Sequence, residues 1–467
     1  MNARPTRDDV WSVRAAQLVR VIGLLLMGYG ITLGLERSVE PVWFGYSRLR
    51  GIAILAVSSI GVGLVSMSRQ RAWSARLLCA LLGFGGGWVA CEVLLWWNPF
   101  LIPSVAWSTA MPRRMINRAM ALDAHRAPHR RKLPFDLLTS NYLIDGYVRR
   151  LVPHLSGMLR TEDEEDRWVP VTVDEIGFRN PSGLYTSNEQ IDVVLLGDSF
   201  TRGTSRVTVA EFMREFIGRS VYSLGDLGGA PQQWSLVFDQ YGAMKQPRII
   251  IANFFEGNDL DDAVRLQALM EQHRPLKELY AHSGRMSDRL VSQSVMLGLL
   301  YRYLLPKQRS PQSLVTLESG TVVRIPLDGY APGLATSEAA QGQLQAGLQI
   351  IEHTLRRLHE VSVGSVVLSY IPSVSSVYAD QADRVESVGG LSAWTDSPRR
   401  QRDLSALLRD IVERNGMVFV DVTPELRKMA RKERLYGDAG HFNQQGYRCY
   451  SELLSWAIQP LLQEPTS

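Results

Sequence analysis

From Ile191 to the C-terminus, short apolar strand-like runs alternate with longer amphipathic segments, and this rhythm leaves few folds open. "IDVVLL" (191–196) reads as a buried strand, "AEFMREFIG" as a helix and "SVYSLG" as the next strand. "QQWSLVFDQYGAM" is again helical and "RIIIANF" a third strand. After an insertion over about 261–336 come the helix "SEAAQGQLQAGLQIIEHTLRRLHE", the strand "GSVVLSYIP", the helix "RDLSALLRDIVERNG" and the strand "MVFVDV". The last helix is "NQQGYRCYSELLSWAIQPLL". Alternation of this kind predicts a parallel sheet with helices on both faces. Such sheets bind ligands at the carboxyl ends of their strands.

Ser199, in "VVLLGDSFTRG", lies just past one such end. A serine hydroxyl becomes a useful nucleophile when a base takes its proton, so a histidine held by an acid is expected elsewhere. Among eight histidines, His441 in "LYGDAGHFNQQGY" is the candidate, with Asp438 three residues earlier on the same strand-end loop. That spacing lets a carboxylate hold one ring nitrogen while the other faces the serine. His353 and His359 fall on an amphipathic helix and read as superficial; His125 and His129 are separated by Pro128 and read as exposed. Attack on an acyl carbonyl also needs donors for the developing oxyanion. "SLGDLGGAPQQ" offers a glycine N–H, with Gly228 preferred over Gly225 and Gly229, and "FFEGNDL" offers the side-chain amide of Asn258. The N–H of Ser199 is the third donor.

In this order and context, Ser199, Gly228, Asn258 and His441 resemble the SGNH/GDSL hydrolase superfamily over about residues 190–465. "GDSF" is similar to its nucleophile block, "GNDL" to its asparagine block and "DAGH" to its terminal D-x-x-H block. The resemblance implies a flavodoxin-like three-layer α/β/α domain and Ser-His-Asp acyl chemistry, with no metal and no cofactor. Two positions depart from the pattern. Ser223 stands where the second block often has Asn, leaving the support of that loop open, and Glu256 replaces a frequent Gly. The second departure resembles a bacterial subgroup with a "FFEGNDL"-like signature that is often membrane-linked.

Other residues near these blocks have plainer readings. Asp198 and Asp421 are expected to cap the helices that follow them. Asp259 is expected to stabilise its loop, and Phe254 and Phe255 to be core. Arg202 either touches substrate or is solvated.

The first hundred residues are of another kind. Leu18–Leu35, Gly51–Met67 and Leu77–Trp97 are apolar runs that approach the roughly 20 residues needed to span a bilayer. The first lacks a small-residue cleavage site, so it reads as a retained span. This region holds ten Arg, no Lys and five acids, leaving 41 basic against 42 acidic residues in the rest. The basic excess thus belongs to the apolar region and reads as an orientation signal, not a nucleic-acid surface. Arginines at 4, 7, 14, 20, 69, 71 and 76 favour a cytoplasmic N-terminus, and three crossings then carry everything after Trp97 outside. Glu92 is read as snorkelling to the headgroups. Three cysteines are too few for a disulfide framework.

The expected organisation is a three-helix transmembrane region (1–100), an extracytoplasmic linker with a small β element around "VPVTVDEIGFRNPSG" (101–185) and an SGNH hydrolase-like domain (186–467). The functional expectation is a multi-pass enzyme of a bacterial inner membrane, its catalytic domain in the periplasm or outside. By its resemblance to membrane-anchored bacterial members linked to polysaccharide O-acetylation, it would be a serine esterase or O-acyltransferase acting on cell-envelope polysaccharide through an acyl-serine. Acetyl is the expected acyl group, with a membrane-bound acyl-donor protein as a partner. A lipid or lysophospholipid esterase, and an idle scaffold subunit of an envelope-polymer assembly, are the alternatives.

Overall fold

The computed structural model describes residues 142–161, 168–187, 190–276, 312–326, 338–378, 381, 385–387, 397–437 and 440–463. Before these it describes only 13, 16–21, 24, 83, 87–91, 93 and 94, all helical. The chain divides into two compact units, Met1–Asn98 and Pro99–Ser467. In the first, Leu18, Val21, Leu24, Val89, Val93 and Leu94 expose apolar side chains. Among the described residues no helix is long and apolar enough to cross a membrane. The three expected spans fall largely outside those residues, as do Glu92, His125 and His129.

The described residues of the second unit begin with two hairpins. β1 (Tyr142–Asp145) pairs antiparallel with β2 (Val148–Leu151), and β3 (Ser156–Arg160) with β4 (Trp168–Thr172). The main domain then runs α1 (Leu184–Ser187), β5 (Val193–Leu196), α2 (Ser199–Arg202), α3 (Val209–Ile217), β6 (Val221–Ser223) and α4 (Pro231–Val237). Next come β7 (Ile249–Phe255), α5 (Asp259–Glu271), β8 (Gln312–Thr316), β9 (Val322–Pro326), α6 (Glu338–Val361) and β10 (Ser365–Ile371). The chain closes with α7 (Val374–Tyr378), β11 (Val385–Ser387), α8 (Ser397–Arg414), β12 (Val418–Asp421), α9 (Thr423–Ala430) and α10 (Gln444–Gln463).

Five of these strands form one sheet in the order β12-β10-β7-β5-β6, every pair parallel. Counted along the chain this is 2-1-3-4-5, the flavodoxin-like order, whose switch point falls between β5 and β7. The expected doubly wound sheet is therefore present, and the site residues 199 and 258 follow the two strands that flank the switch point. The insertion after α5 contributes β8 and β9, which join β11 in a separate antiparallel sheet.

Buried strands alternate between the two faces, as a pleated backbone requires. Val193, Leu195, Ile249, Ile251 and Val367 face a core completed by Phe212 and Met213 of α3 and Tyr447, Tyr450 and Leu454 of α10. Val194, Leu196, Ile250, Ala252 and Leu368 face the other, with Trp234 of α4, Ile351 and Leu355 of α6 and Leu408 of α8. Both faces of the central strands are covered, which is why they read as continuous apolar runs.

Close approach sets the placement of α10. A Cβ at Gly446 would lie 2.0 Å from the carbonyl oxygen of Leu435, so the helix rests directly on the backbone entering the His441 loop. Gly446→Ala is expected to destabilise the fold by about 1–3 kcal/mol through overpacking against backbone. A lowered urea midpoint at unchanged slope would register this; an unshifted midpoint would refute the contact.

Candidate active site

β5 ends against a turn that only glycine permits. Gly197 has φ +151°, and a Cβ there would lie 2.2 Å from Thr201 Oγ1 and 3.0 Å from the Asn253 carbonyl oxygen. The chain turns into α2 with Asp198 as its cap, Oδ1 accepting the Phe200 N–H at 2.9 Å. Ser199 follows, 8% exposed.

Ser199 Oγ and His441 Nε2 are 2.8 Å apart, although 242 residues separate them. A second acceptor, Asp198 Oδ2, lies 3.2 Å from the same hydroxyl. A serine carries one hydroxyl hydrogen, so the two acceptors compete. Donation to His441 requires the ring to carry its own hydrogen on Nδ1, the tautomer a general base needs. Phe200 packs on the imidazole with ring centroids 4.9 Å apart, and Phe255 and Phe442 pack on Phe200.

The His441 loop is closed on itself. Tyr436 and Phe442 form an isolated antiparallel bridge, Gly437 N–H donates to the His441 carbonyl at 2.9 Å, and Asn443 N–H to Leu435 at 3.0 Å. Asn443 Oδ1 then accepts the Gly446 N–H at 2.8 Å, capping α10. Asp438, expected to hold the second ring nitrogen, lies outside the described residues.

The oxyanion candidates sit on the neighbouring loops. Gly228 is half-buried with φ +58°, inside a turn closed by Gly229 N–H donating to the Asp226 carbonyl at 3.2 Å. The positive φ at the third turn position is what glycine supplies. Asp226 N–H donates to the Gly197 carbonyl at 3.1 Å, tying this turn to the nucleophile loop. Gly225 makes the close approach: its Cβ would lie 2.6 Å from the Arg202 backbone nitrogen. Asn258 is half-buried at the start of α5, and its Nδ2 donates to Asp262 Oδ2 at 2.6 Å. That contact orients the amide and occupies one of its two N–H donors, leaving the other for an acceptor. Burial pushes the Asp262 carboxyl up to about 6.

Arg202 departs from its sequence reading, whereas Asp259, Asp421, Phe254, Phe255, His353 and His359 follow theirs. Arg202 is neither solvated nor presented at the surface; it is 2% exposed and donates to the Tyr142 hydroxyl at 3.2 Å. Asp259 Oδ2 accepts the Phe255 N–H at 2.7 Å, stabilising the loop. Asp421 takes the Thr423 N–H at 2.9 Å and caps α9. Phe254 and Phe255 are core, and His353 and His359 are exposed. Two supports have no simple sequence signal. Beneath α2, Asn253 Nδ2 donates to Thr201 Oγ1 at 2.9 Å, and its Oδ1 accepts from the Tyr450 hydroxyl at 3.0 Å. Arg179 donates to the carbonyls of Gly203, Ser205 and Arg206 at 2.6–2.9 Å, fastening the chain just after the Ser199 helix. "DEIGFRNP" follows β4, which holds the "VPVT" of the same segment, and it is part of the site's frame.

No family model matches the sequence, and no curated protein matches it. Solved structures that are similar include the lipase/acylhydrolase from Enterococcus faecalis, 11% identical with a TM-score of 0.29, covering 58% of this chain and 96% of that one. The acetyl xylan esterase AlAXEase is 12% identical with a TM-score of 0.31, covering 57% and 100%. A catalytic mutant of the acetylxylan esterase Axe2 from Geobacillus stearothermophilus is 10% identical with a TM-score of 0.31, covering 60% and 97%. Likenesses at this level carry no weight here; the fold rests on the strand order and the site on its own distances.

Glu256 is buried beside the asparagine loop, where its carboxyl accepts the Ser373 N–H at 2.8 Å and the Ser376 hydroxyl at 2.6 Å. Burial nevertheless pushes it up to about 7 from an ordinary 4.5. The folded protein therefore keeps this proton where the unfolded chain has lost it. Stability from this group is full below pH 4.5 and falls as pH rises to 7, by about 3 kcal/mol in all. Glu256→Gln should flatten that part of the profile, read as the wild-type-minus-variant difference in unfolding free energy between pH 4.5 and 7.5. A constant difference would refute the assignment.

Proposed function

We propose that this chain is a serine esterase or O-acyltransferase of the SGNH type, acting on acyl esters of cell-envelope polysaccharide from a membrane anchor. The observation that carries the chemistry is the 2.8 Å contact between Ser199 Oγ and His441 Nε2 at the carboxyl edge of a parallel sheet. Ser199 Oγ forms a bond to the acyl carbonyl carbon as its proton passes to His441 Nε2, and the carbonyl electrons move onto oxygen. The Ser199 and Gly228 N–H groups and the Asn258 amide receive that oxyanion. Collapse breaks the ester bond, and the leaving alkoxide takes the proton from His441. Water, or a sugar hydroxyl in the transferase case, then gives its proton to His441 and attacks the acyl-serine, releasing the acid or the new ester and regenerating Ser199. Asp438, by its resemblance to the D-x-x-H block, would hold His441 Nδ1 throughout.

The membrane anchor and the extracytoplasmic placement are supported by the three apolar runs and the arginine bias of the first hundred residues. The glycan acceptor and a membrane-bound acyl donor rest instead on the resemblance of "FFEGNDL" to membrane-linked bacterial members. Hydrolysis and transfer use the same residues, and exclusion of water from the acyl-serine separates them.

A fluorophosphonate probe should label the purified chain at Ser199 and fail to label Ser199→Ala. With an acetyl ester, His441→Ala is expected to lower kcat by about 10²–10⁴-fold. Asn258→Ala should lower it by about 10²–10³-fold. A folded wild-type protein that neither labels nor turns over acetyl esters would remove the hydrolase reading. Supplying candidate glycans then separates free acetate from acetylated product.

A further inference from the structure

The loop from Ser223 to Gly229 bears the proposed Gly228 donor, contains three glycines and follows an edge strand. Glycine loses more conformational freedom on ordering than any other residue, so such a loop needs external restraint to hold one geometry. The restraint comes from the segment that precedes the α/β domain. At the near end, Asn180 pairs with the backbone of Ser223 in both senses: Nδ2 donates to its carbonyl at 2.9 Å, and Oδ1 accepts its N–H at 2.9 Å. One side chain thus completes the open side of β6 as a further strand would. Asn180 is itself 4% exposed and held by Asp174 Oδ2 at 3.1 Å. Asp174 also accepts the Tyr222 hydroxyl and, through Oδ1, the N–H groups of Ile176, Gly177 and Phe178. At the far end, Arg149 Nε on β2 meets Asp226 Oδ2 at 2.5 Å, with side chains only 6% and 11% exposed. The turn holding Gly228 closes on the Asp226 carbonyl, so this ion pair grips the turn at its root.

We propose that Asn180 and Arg149 are positioning residues for the reaction, pinning the Ser223–Gly229 loop at both ends so that the Gly228 N–H stands where the oxyanion forms. The inference rests on the hydrolase reading. It also answers the departure at position 223: a carboxamide from residue 180 reaches the backbone of the loop where the sequence has only a serine. An oxyanion donor acts by being aimed before charge develops, and displacements near 1 Å cost about 10²-fold in rate. Loosening the loop should therefore lower kcat and leave ground-state binding almost untouched.

The test uses the full chain with 4-nitrophenyl acetate, each rate normalised to the serine that a fluorophosphonate labels to completion. Asn180→Ala and Arg149→Met are each expected to lower kcat by about 10²-fold with KM within about twofold. Arg149→Lys, which keeps the charge opposite Asp226, should recover at least tenfold over Arg149→Met. The inference is overturned if kcat per labelled serine in Asn180→Ala and Arg149→Met equals that of wild type. A loss of total activity that merely follows the unlabelled fraction would overturn it equally, since the residues would then serve folding alone. Silence of the wild type in both assays is a different result: it removes the hydrolase reading, and the inference with it.

Discussion

A parallel sheet delivers every strand-to-helix connection to the same edge, and Ser199 stands on one of them, directly after β5. His441 lies 242 positions later in the loop between α9 and α10, and that loop brings the imidazole onto the hydroxyl. The switch point between β5 and β7 opens a gap at that edge, and the loops carrying Ser199 and Asn258 flank it. An antiparallel arrangement of the same strands would send half of these loops to the opposite end.

α10 links the chemistry to the core. It begins just after His441, capped by Asn443, and its tyrosines reach back under the Ser199 helix. Tyr447 accepts the Thr204 N–H at 3.1 Å, while Tyr450 joins Asn253 and Ser369 in a buried hydroxyl-amide chain. One helix thus sets the height of both His441 and the helix that bears Ser199. The glycines at 197, 225 and 446 make this density possible, because backbone or side-chain atoms occupy the space a Cβ would need. Such packing transmits small displacements, so the geometry of the pair depends on contacts well away from it.

Much of the frame was legible in the linear chain. Alternating apolar runs and amphipathic helices predict a parallel sheet, and the described strands fall on the expected segments from "IDVVLL" to "MVFVDV". Ser199 and His441 stood out because a serine at a strand end and a histidine in a late strand-end loop have a joint chemical meaning. The segment "VPVTVDEIGFRNPSG" reads as a strand ending in turn residues because its local pattern alternates, and its first part lies in β4. Its function as a support came from Arg179 and Asn180 reaching backbone groups 24 to 43 residues away, which no local period encodes. Arg202 shows the same limit: a charge beside a nucleophile suggests substrate or solvent, whereas a hairpin formed much earlier in the chain covers it.

The sequence by itself determined the sheet, its layering and the pair of chemically meaningful residues, since periodicity and residue type act locally along the chain. The tertiary structure decided which loop meets which, which way the Asn258 amide faces and what pins the Gly228 turn. Those outcomes depend on hydrogen bonds to backbone groups and on close approaches at glycine. Such contacts join distant segments through geometry and leave no pattern in the residues between them.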